Sequence, residues 1–266
     1  MQPRLFIFGL GYTAARIAMQ AAADGWEVVS TGRAGTLSFD DDGAVRLALA
    51  DAAQVLSSVP PGDEGLDPVL ERYGDCLAGQ RLSYLSSTGV YGDCGGAWAD
   101  ETAPLVGQGG ATGRRTARSD ADAAWLDRGA RVLRLPGIYG PGRSALDRVR
   151  EGRAQRIDLP EQVFSRVHVD DIVNGALLAL EAPAGAYNLA DDAPASQNAV
   201  IEEACRLLGA VPPLLQSLQA AALSPMARGF YAENRRVANG KAKRVLGWTL
   251  RYPDYRSGLA ALFAAA

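Results

Sequence analysis

Arg4-Leu5-Phe6-Ile7-Phe8-Gly9-Leu10-Gly11-Tyr12-Thr13-Ala14 decides the fold of this 266-residue chain. Arg4 to Phe8 is short and apolar, as a strand buried on both faces should be. Two glycines follow, and Tyr12 to Ala23 is an alanine-rich run with strong helix propensity. After a turn at Asp24-Gly25, Glu27 to Thr31 predicts a second strand. Strand, glycine turn, helix and strand make one βαβ unit. Within the turn, Gly9 permits a tight reversal, Gly11 lets a ligand approach the backbone, and the small Ala14 lets helix and strand pack closely. The helix start offers free N–H groups and the positive end of the helix dipole, a setting that suits a diphosphate.

The alternation continues outward from this unit. Gln54 to Val59 predicts a strand stopped by Pro60-Pro61, Leu66 to Leu77 a helix, and Arg81 to Ser86 a strand. A glycine-rich loop over Gly92 to Gly113 leads into a helix at Arg114 to Arg128 and a strand at Arg131 to Leu135. Ala44 to Leu49, apolar at alternate positions, predicts a further, weaker strand. Short apolar runs alternating with helices imply an α/β fold of the Rossmann type, a doubly wound parallel sheet. Beyond Pro136 the pattern loosens. Ser144 to Gly152 predicts a helix, Val163 to Val169 an extended segment, and Asp170-Asp171 the cap of a helix over Ile172 to Leu180. Ala186 to Leu189 reads as a late strand, and Gln197 to Leu208, Lys241 to Leu246 and Tyr255 to Ala264 as helices.

Composition narrows the function classes. A net charge of −3 gives no basic face for nucleic acid. Lys241 and Lys243 are the only lysines, so no mechanism can use a lysine earlier in the chain. Cys76, Cys94 and Cys205 are scattered and odd in number, which fits a reducing compartment rather than a disulfide framework. His168 is the only histidine, which makes a histidine-rich metal site or a Ser-His-Asp triad improbable. No apolar run approaches the roughly 20 residues of a membrane span, and no leader precedes Leu5. The expectation is a cytoplasmic protein with no membrane and no nucleic-acid partner.

Cofactor choice is read at the end of the second strand. An acid there would accept hydrogen bonds from the ribose of NAD, but the residues are Ser30-Thr31-Gly32-Arg33. Arg33 can pair with a 2′-phosphate, with Thr31 adding a hydroxyl, so NADP is preferred and NAD is retained as the second choice. The expected cofactor contacts are Gly9, Gly11, Tyr12, Thr13, Ala14, Thr31, Arg33, Ser58 and Pro60, the last two from the end of the Gln54 strand. The competing readings are a glycine turn that serves packing alone and a solvated loop arginine.

Four later segments carry a resemblance. Leu85-Ser86-Ser87-Thr88-Gly89-Val90-Tyr91-Gly92, Leu133-Arg134-Leu135-Pro136-Gly137-Ile138-Tyr139-Gly140-Pro141-Gly142-Arg143, Val167-His168-Val169-Asp170-Asp171-Ile172 and Tyr187-Asn188-Leu189 occur in order along almost the whole chain. With the glycine turn they resemble the extended short-chain dehydrogenase/reductases, and most nearly an atypical, short branch of NAD(P)-dependent epimerase/dehydratase-like proteins. The resemblance implies a small-molecule or nucleotide-sugar-like substrate, a contact of Pro136 with the cofactor, and a homodimer as one compatible assembly. It also implies a division into a dinucleotide-binding domain of residues 1–136 and 166–190 and a smaller C-terminal substrate lobe of 137–165 and 191–266. A further implication is catalysis by a Ser/Thr, a Tyr and a Lys four residues after the Tyr. Ser87 falls on the Ser/Thr position, but Arg114 stands in place of the tyrosine and Arg118 in place of the lysine, with Asp122 one turn further on. Arginine keeps its proton, its pKa being above about 12, so it is no general acid. Arg118 could still hold the ribose or a cofactor phosphate. The i, i+4 stripe of Arg114, Arg118 and Asp122 either faces the ligand cleft or is an ion-paired surface.

Ser87, Tyr91, Arg114 and Arg118 are therefore the catalytic candidates. Tyr91 and Tyr139 lie at carboxyl ends of predicted strands, where such sheets bind ligands, although packing would account for both. His168 and the Asp100-Glu101 pair are weaker candidates for acid or base, and Trp98, Phe230, Tyr231 and Arg236 for shaping a substrate pocket. Two functions stay open: an NAD(P)-dependent oxidoreductase or epimerase/dehydratase-like enzyme acting on an unidentified carbonyl or alcohol, or a catalytically silent NADP-binding sensor.

Overall fold

Six of the short apolar runs pair edge to edge in one parallel sheet. The structure, a computed structural model, describes residues 2–62, 65–107, 114–221 and 223–266. The first half runs β1 (Arg4–Phe8), α1 (Tyr12–Ala23), β2 (Glu27–Ser30), α2 (Asp42–Ala50), β3 (Gln54–Ser57), α3 (Pro68–Tyr73), β4 (Arg81–Ser87), β5 (Trp98–Ala99) and α4 (Arg114–Asp127). Then come β6 (Arg131–Leu135), β7 (Gly137–Tyr139), α5 (Ala145–Arg150), β8 (Arg156–Ile157), β9 (Arg166–His168), α6 (Val169–Leu180) and β10 (Gly185–Asn188). The chain ends with α7 (Gln197–Leu208), β11 (Leu215–Gln216), α8 (Pro225–Tyr231), β12 (Arg236–Val237), α9 (Gly240–Leu246) and α10 (Tyr255–Ala264).

The sheet order is β10-β6-β4-β3-β1-β2, and every pairing in it is parallel. The chain leaves β1 for β2 on one side and then crosses to β3 on the other. That reversal opens a crevice at the carboxyl ends of β1 and β3, the place where ligands bind in open α/β sheets. The short strands β7 with β9, β5 with β12 and β8 with β11 pair outside the main sheet.

Two cores cover the faces of the sheet. On one, Ala14, Ile17 and Ala21 of α1 pack with Ile172, Ala176 and Leu180 of α6 and with Trp248. On the other, Val45 and Leu49 of α2, Tyr73 of α3 and Trp125 of α4 pack on β1, β3 and β4, with Trp125 stacked on Tyr84 at 5.4 Å. A third cluster joins α5, α7 and α10 through Leu146, Ile201, Cys205 and Leu259.

The expected strand over Ala44 to Leu49 is corrected, because it lies inside α2. Asp41 caps that helix by accepting a hydrogen bond from the Ala44 N–H (3.1 Å). Val45 and Leu49 are buried four residues apart, whereas Leu47 is 72% exposed, so the apolar alternation was half of a helical stripe. The expected cap of α6 is corrected too. The His168 ring caps it by accepting from the Asp170 N–H (3.2 Å), and Asp171 sits buried inside the first turn. There the Asp171 carboxylate accepts from the N–H groups of Arg251 (2.7 Å) and Tyr252 (3.1 Å), tying the C-terminal segment to the sheet domain. The predicted loop over Gly92 to Gly113 contains β5, and its residues 108–113 lie outside the described ones.

A buried ionic network joins α4 to the sheet. The Arg134 guanidinium donates to both oxygens of Asp122 (2.7 and 3.0 Å), and Ser86 donates to the same carboxylate (2.6 Å). Arg134 also donates to the Tyr91 hydroxyl (2.9 Å), which donates to Asn188 Oδ1 (2.8 Å). Burial by itself would lower the pKa of Arg134, but the hydrogen bonds and charge of Asp122 hold it above the usual guanidinium value. Removing one member of such a pair strands the other charge in a dry site. Asp122→Ala is expected to destabilise the fold by about 3–5 kcal/mol in urea titrations. Ser86→Ala, which keeps the ion pair, is expected to cost distinctly less.

Candidate functional site

The turn after β1 is held from three sides. The Gly9 N–H donates to Thr31 Oγ1 (3.3 Å), the Leu10 N–H to the Thr31 carbonyl (3.0 Å), and the Ser58 hydroxyl to the Gly9 carbonyl. Gly9 adopts φ +80°, and a Cβ there would meet Val59 Cγ2 at 3.0 Å and Ser58 Oγ at 3.1 Å. Only glycine satisfies both the backbone and the space. Gly11 differs, because a Cβ on it would meet nothing within 4 Å. Gly11 is also the N-cap of α1 and supplies no side-chain cap, and the first turn carries no acid. Among the described residues no side chain caps the N-terminal amides of this twelve-residue helix, and Gly11 to Ala14 border open space.

That space is a cleft of about 1350 Å³, larger than the roughly 300–1,000 Å³ of a single small-ligand pocket. Gly11, Tyr12, Thr13, Ala14, Ser58 and Pro60 line one end, and Ser87, Arg118 and Pro136 line the middle. Of the expected cofactor contacts, Gly9 and Thr31 shape the turn from behind without lining the cleft, and Arg33 is exposed beyond the end of β2. The Tyr12 ring lies under the guanidinium of Arg16 (3.9 Å) and near that of Arg143 (5.6 Å), while its hydroxyl donates to the Pro141 carbonyl (3.1 Å). Tyr12 therefore joins the first helix to the Gly140–Arg143 loop.

Among the catalytic candidates, Ser87 reaches the cleft. Its Oγ accepts from the Gly89 N–H (3.1 Å), which leaves its own proton to donate. Arg118 lines the cleft and pairs with no carboxylate among the described residues. The side chain of Arg114 lies outside the described residues. Tyr91 is absent from the lining, its hydroxyl is committed to Arg134 and Asn188, and burial pushes its pKa up. Its geometry is that of a packing residue. Asp122 of the α4 stripe is no surface group, because it is 0% exposed and bonds to β6.

The weaker candidates also turn inward. Glu101 accepts from the Asn188 N–H (2.7 Å), and Asp100 accepts from Thr102. His168 is buried against Tyr252 (4.2 Å) and Tyr139 (5.1 Å), and burial lowers its pKa. Burial raises all four tyrosines that line the cleft, Tyr12, Tyr139, Tyr231 and Tyr255, so none is tuned down toward neutral pH. Phe230 and Tyr231 line the far end, whereas Trp98 and Arg236 do not.

Sequence reasoning did not pick out the arginines of the far lobe. Arg143, Arg148, Arg153, Arg166 and Arg235 all line the cleft, against the single carboxylate of Glu233. Arg148 stands in α5, Arg166 in β9 and the others in separate loops, and no local pattern groups them. Arg166 donates to the carbonyls of Phe164 and Ala195 (2.9 Å each), and burial lowers its pKa to about 10. Behind it Asp191 is buried with one carboxylate oxygen unpartnered, and desolvation pushes its pKa up to about 7.

The fold and the crevice define a class, the Rossmann-type α/β proteins. More narrowly, the chain shares the fold of solved extended, NAD(P)-dependent epimerase/dehydratase proteins. Solved relatives include dTDP-glucose 4,6-dehydratase from Bacillus anthracis in complex with NAD (15% identical, 98% of this chain and 96% of that one, TM-score 0.77). Another is human epimerase family protein SDR39U1 with NADPH (16%, 99% and 100%, TM-score 0.75). At these identities the likeness is one of fold. A conserved protein of unknown function from Silicibacter pomeroyi is 38% identical over 100% of this chain and 99% of its own, with a TM-score of 0.87. Protein YeeZ of Escherichia coli is 29% identical over 94% of this chain and 97% of its own. A 3-diazoavenalumate denitrifying reductase from Streptomyces is 35% identical over 180 residues, 60% of this chain and 57% of that protein. No family model matches the sequence.

The Asp191 carboxyl makes stability pH-dependent. In the unfolded chain it ionises within the usual carboxylate range, while in the fold it keeps its proton up to about pH 7. Its contribution is therefore full below about pH 4 and is lost as pH rises through about 7. Asp191→Asn, which cannot ionise, is expected to raise Tm at pH 8 and to leave it nearly unchanged at pH 4. An equal shift at both values would rule out this account.

Proposed function

We propose that the chain binds NADP, with NAD as the weaker alternative, and uses it as an oxidoreductase of the epimerase/dehydratase-like kind on a small anionic carbonyl or alcohol. The observation that carries the reading is the uncapped start of α1 behind Gly11, open to the cleft on the side where a Cβ would meet nothing. A turn that served packing alone would fill that space or cap the helix. The residues present fit a dinucleotide: the amides from Gly11 to Ala14 would receive its diphosphate, Pro60 and Ser58 would flank it, and Arg118 would meet its ribose. Arg33, exposed and pairing with no carboxylate among the described residues, suits a 2′-phosphate. Relatives of the same fold have been crystallised with NAD or NADPH, and a sequence relative is named a reductase, which supports the assignment.

When bound, the nicotinamide supplies or takes up a hydride. The chain's own part is orientation and charge. Ser87 donates its free hydroxyl proton to the reacting oxygen, and Arg118 offers a fixed positive charge to any oxyanion that develops. Since Arg118 does not release its proton, water in the open cleft completes protonation. Residues 137–165 and 191–266 act in this reading as the substrate lobe.

Gly11→Val tests the cofactor site apart from the fold. The backbone there, φ −86° and ψ −170°, accepts any residue. Tm should hardly move, whereas NADPH affinity in a fluorescence titration should fall by at least about tenfold. Unchanged affinity would return the turn to a packing role. Arg33→Ala should bring NADPH affinity down toward that for NADH and leave NADH binding as it was. With NADPH bound, oxidation of the reduced nicotinamide by a panel of carbonyl acids that disappears in Ser87→Ala separates an enzyme from a silent sensor.

A further inference from the structure

One cation on the cleft wall has a buried acid behind it. Arg166 borders the cleft from β9, and its guanidinium is held by the carbonyls of Phe164 and Ala195 (2.9 Å each) and by Gln197 Oε1 (3.2 Å). Those bonds use at most three of the five N–H donors that a guanidinium carries. No carboxylate among the described residues forms an ion pair with it. Asp191 follows β10, is 1% exposed and does not border the cleft. Its N–H donates to the Arg166 carbonyl (2.7 Å), which fixes the two residues side by side. Asp191 Oδ1 accepts from the Ala193 N–H (3.3 Å), whereas Oδ2 is buried with no partner. A buried acceptor left in that condition is costly once it carries charge.

The two groups act on each other more than any other charge acts on either. Burial pushes the Asp191 carboxyl up to about 7, and Arg166 is the charge that most opposes this. Burial lowers Arg166 to about 10, and Asp191 is the charge that most opposes that. Other groups reach the pair from each element packed on it. Tyr139 of β7 and Tyr255 of α10 are pushed above the ordinary tyrosine range by burial, and His168 of β9 below the ordinary imidazole range. Arg148 of α5 acts on Arg166 as a like charge. Asp254 caps α10 by accepting from the Ser257 N–H (2.8 Å), and Asp192 pairs with Lys243. Asp191 stands apart from these in joining an unpartnered buried oxygen to the strongest hold on Arg166.

Arg166 can be answered from either side. With the cleft empty, an ionised Asp191 offsets its charge through the protein. An anion in the cleft offsets it from the front, and two negative charges on one guanidinium then repel each other in a site of low dielectric. The anion thus favours Asp191 with its proton, and by reciprocity the proton favours the anion.

We propose that Arg166 anchors the acidic group of the cleft's ligand, and that Asp191 sets the strength of this anchor by taking up a proton from solvent as the anion binds. The proposal rests on the reading of the cleft as the place of an anionic substrate, and it gives that substrate a subsite and a pH dependence.

The test uses the full chain saturated with NADPH, with sulfate as the probe, because sulfate keeps its charge between pH 5.5 and 8.5. Sulfate affinity in calorimetric titrations should be highest at pH 5.5, where Asp191 is protonated, and should fall at least about fivefold by pH 8.5, where it is ionised. Near pH 7.5, titrations in buffers of different ionisation heat should report uptake of about half a proton for each sulfate bound. Asp191→Asn keeps the shape and cannot ionise. It should bind sulfate at pH 8.5 as the wild type does at pH 5.5, with no proton uptake. An affinity that does not change with pH, a dependence that survives Asp191→Asn, or no sulfate binding at either pH overturns the proposal. Proton uptake by the wild type decides the matter even where the variant does not fold. Failure of NADPH to bind strikes the cofactor reading instead. The sulfate series is then run on the free chain, where the start of α1 has no acid in its first turn to lend a pH dependence.

Discussion

One small knot of hydrogen bonds sets the geometry of everything around the cleft. The Gly9 peptide is held by the Thr31 hydroxyl on its N–H and by the Ser58 hydroxyl on its carbonyl, so the ends of β1, β2 and β3 are fixed to one another at a single residue. The left-handed φ of Gly9 follows from that demand, and so does the direction in which α1 leaves the sheet. Because the knot uses the protein's own hydroxyls on Gly9, it leaves the amides of the first helical turn unused. The helix start is therefore rigid and unsatisfied at once, which is the condition for binding an anion without reorganisation cost.

The second constraint is the Asp122–Arg134 pair with its attached Ser86, Tyr91 and Asn188. A buried ion pair is weak evidence for net stability, but it is strict about geometry, because neither partner tolerates loss of the other. It fixes α4 against β4 and β6. Arg118, one turn before Asp122 on that helix, is thereby set facing the cleft beside Ser87. Tyr91 contributes to the site by locking this network.

Much of this was legible in the sequence, for identifiable reasons. Strands buried on both faces appear as unbroken apolar runs, and Gly9 is needed by backbone geometry, so β1, the turn and α1 could be read locally. Ala44 to Leu49 could not, because valine and leucine at 45, 47 and 49 satisfy a period of two and, with 47 turned to solvent, also a period near four. Only the cap at Asp41 decides between them. The α6 cap was misplaced by one rule outweighing another: aspartates are favoured caps, yet Asp171 was needed by Arg251 and Tyr252, eighty residues later in the chain. The arginines of the far lobe have no sequence signature, since they converge only through tertiary packing.

The charge balance of the cleft links these observations to chemistry. The chain as a whole is acidic, with a net charge of −3, yet the cleft is bordered by six arginines and one glutamate among the described residues. Field lines in a low-dielectric cleft are focused, so this segregation draws anions to the site against the sign of the whole molecule. It also limits what the site can do with protons. Guanidinium groups stabilise negative charge but do not exchange protons near neutral pH, and the tyrosines among them are pushed further from neutrality by burial. A site built in this way favours reactions in which charge must be held rather than a proton delivered. Arg118 on α4 is one part of that pattern, in which fixed positive charge borders the cleft.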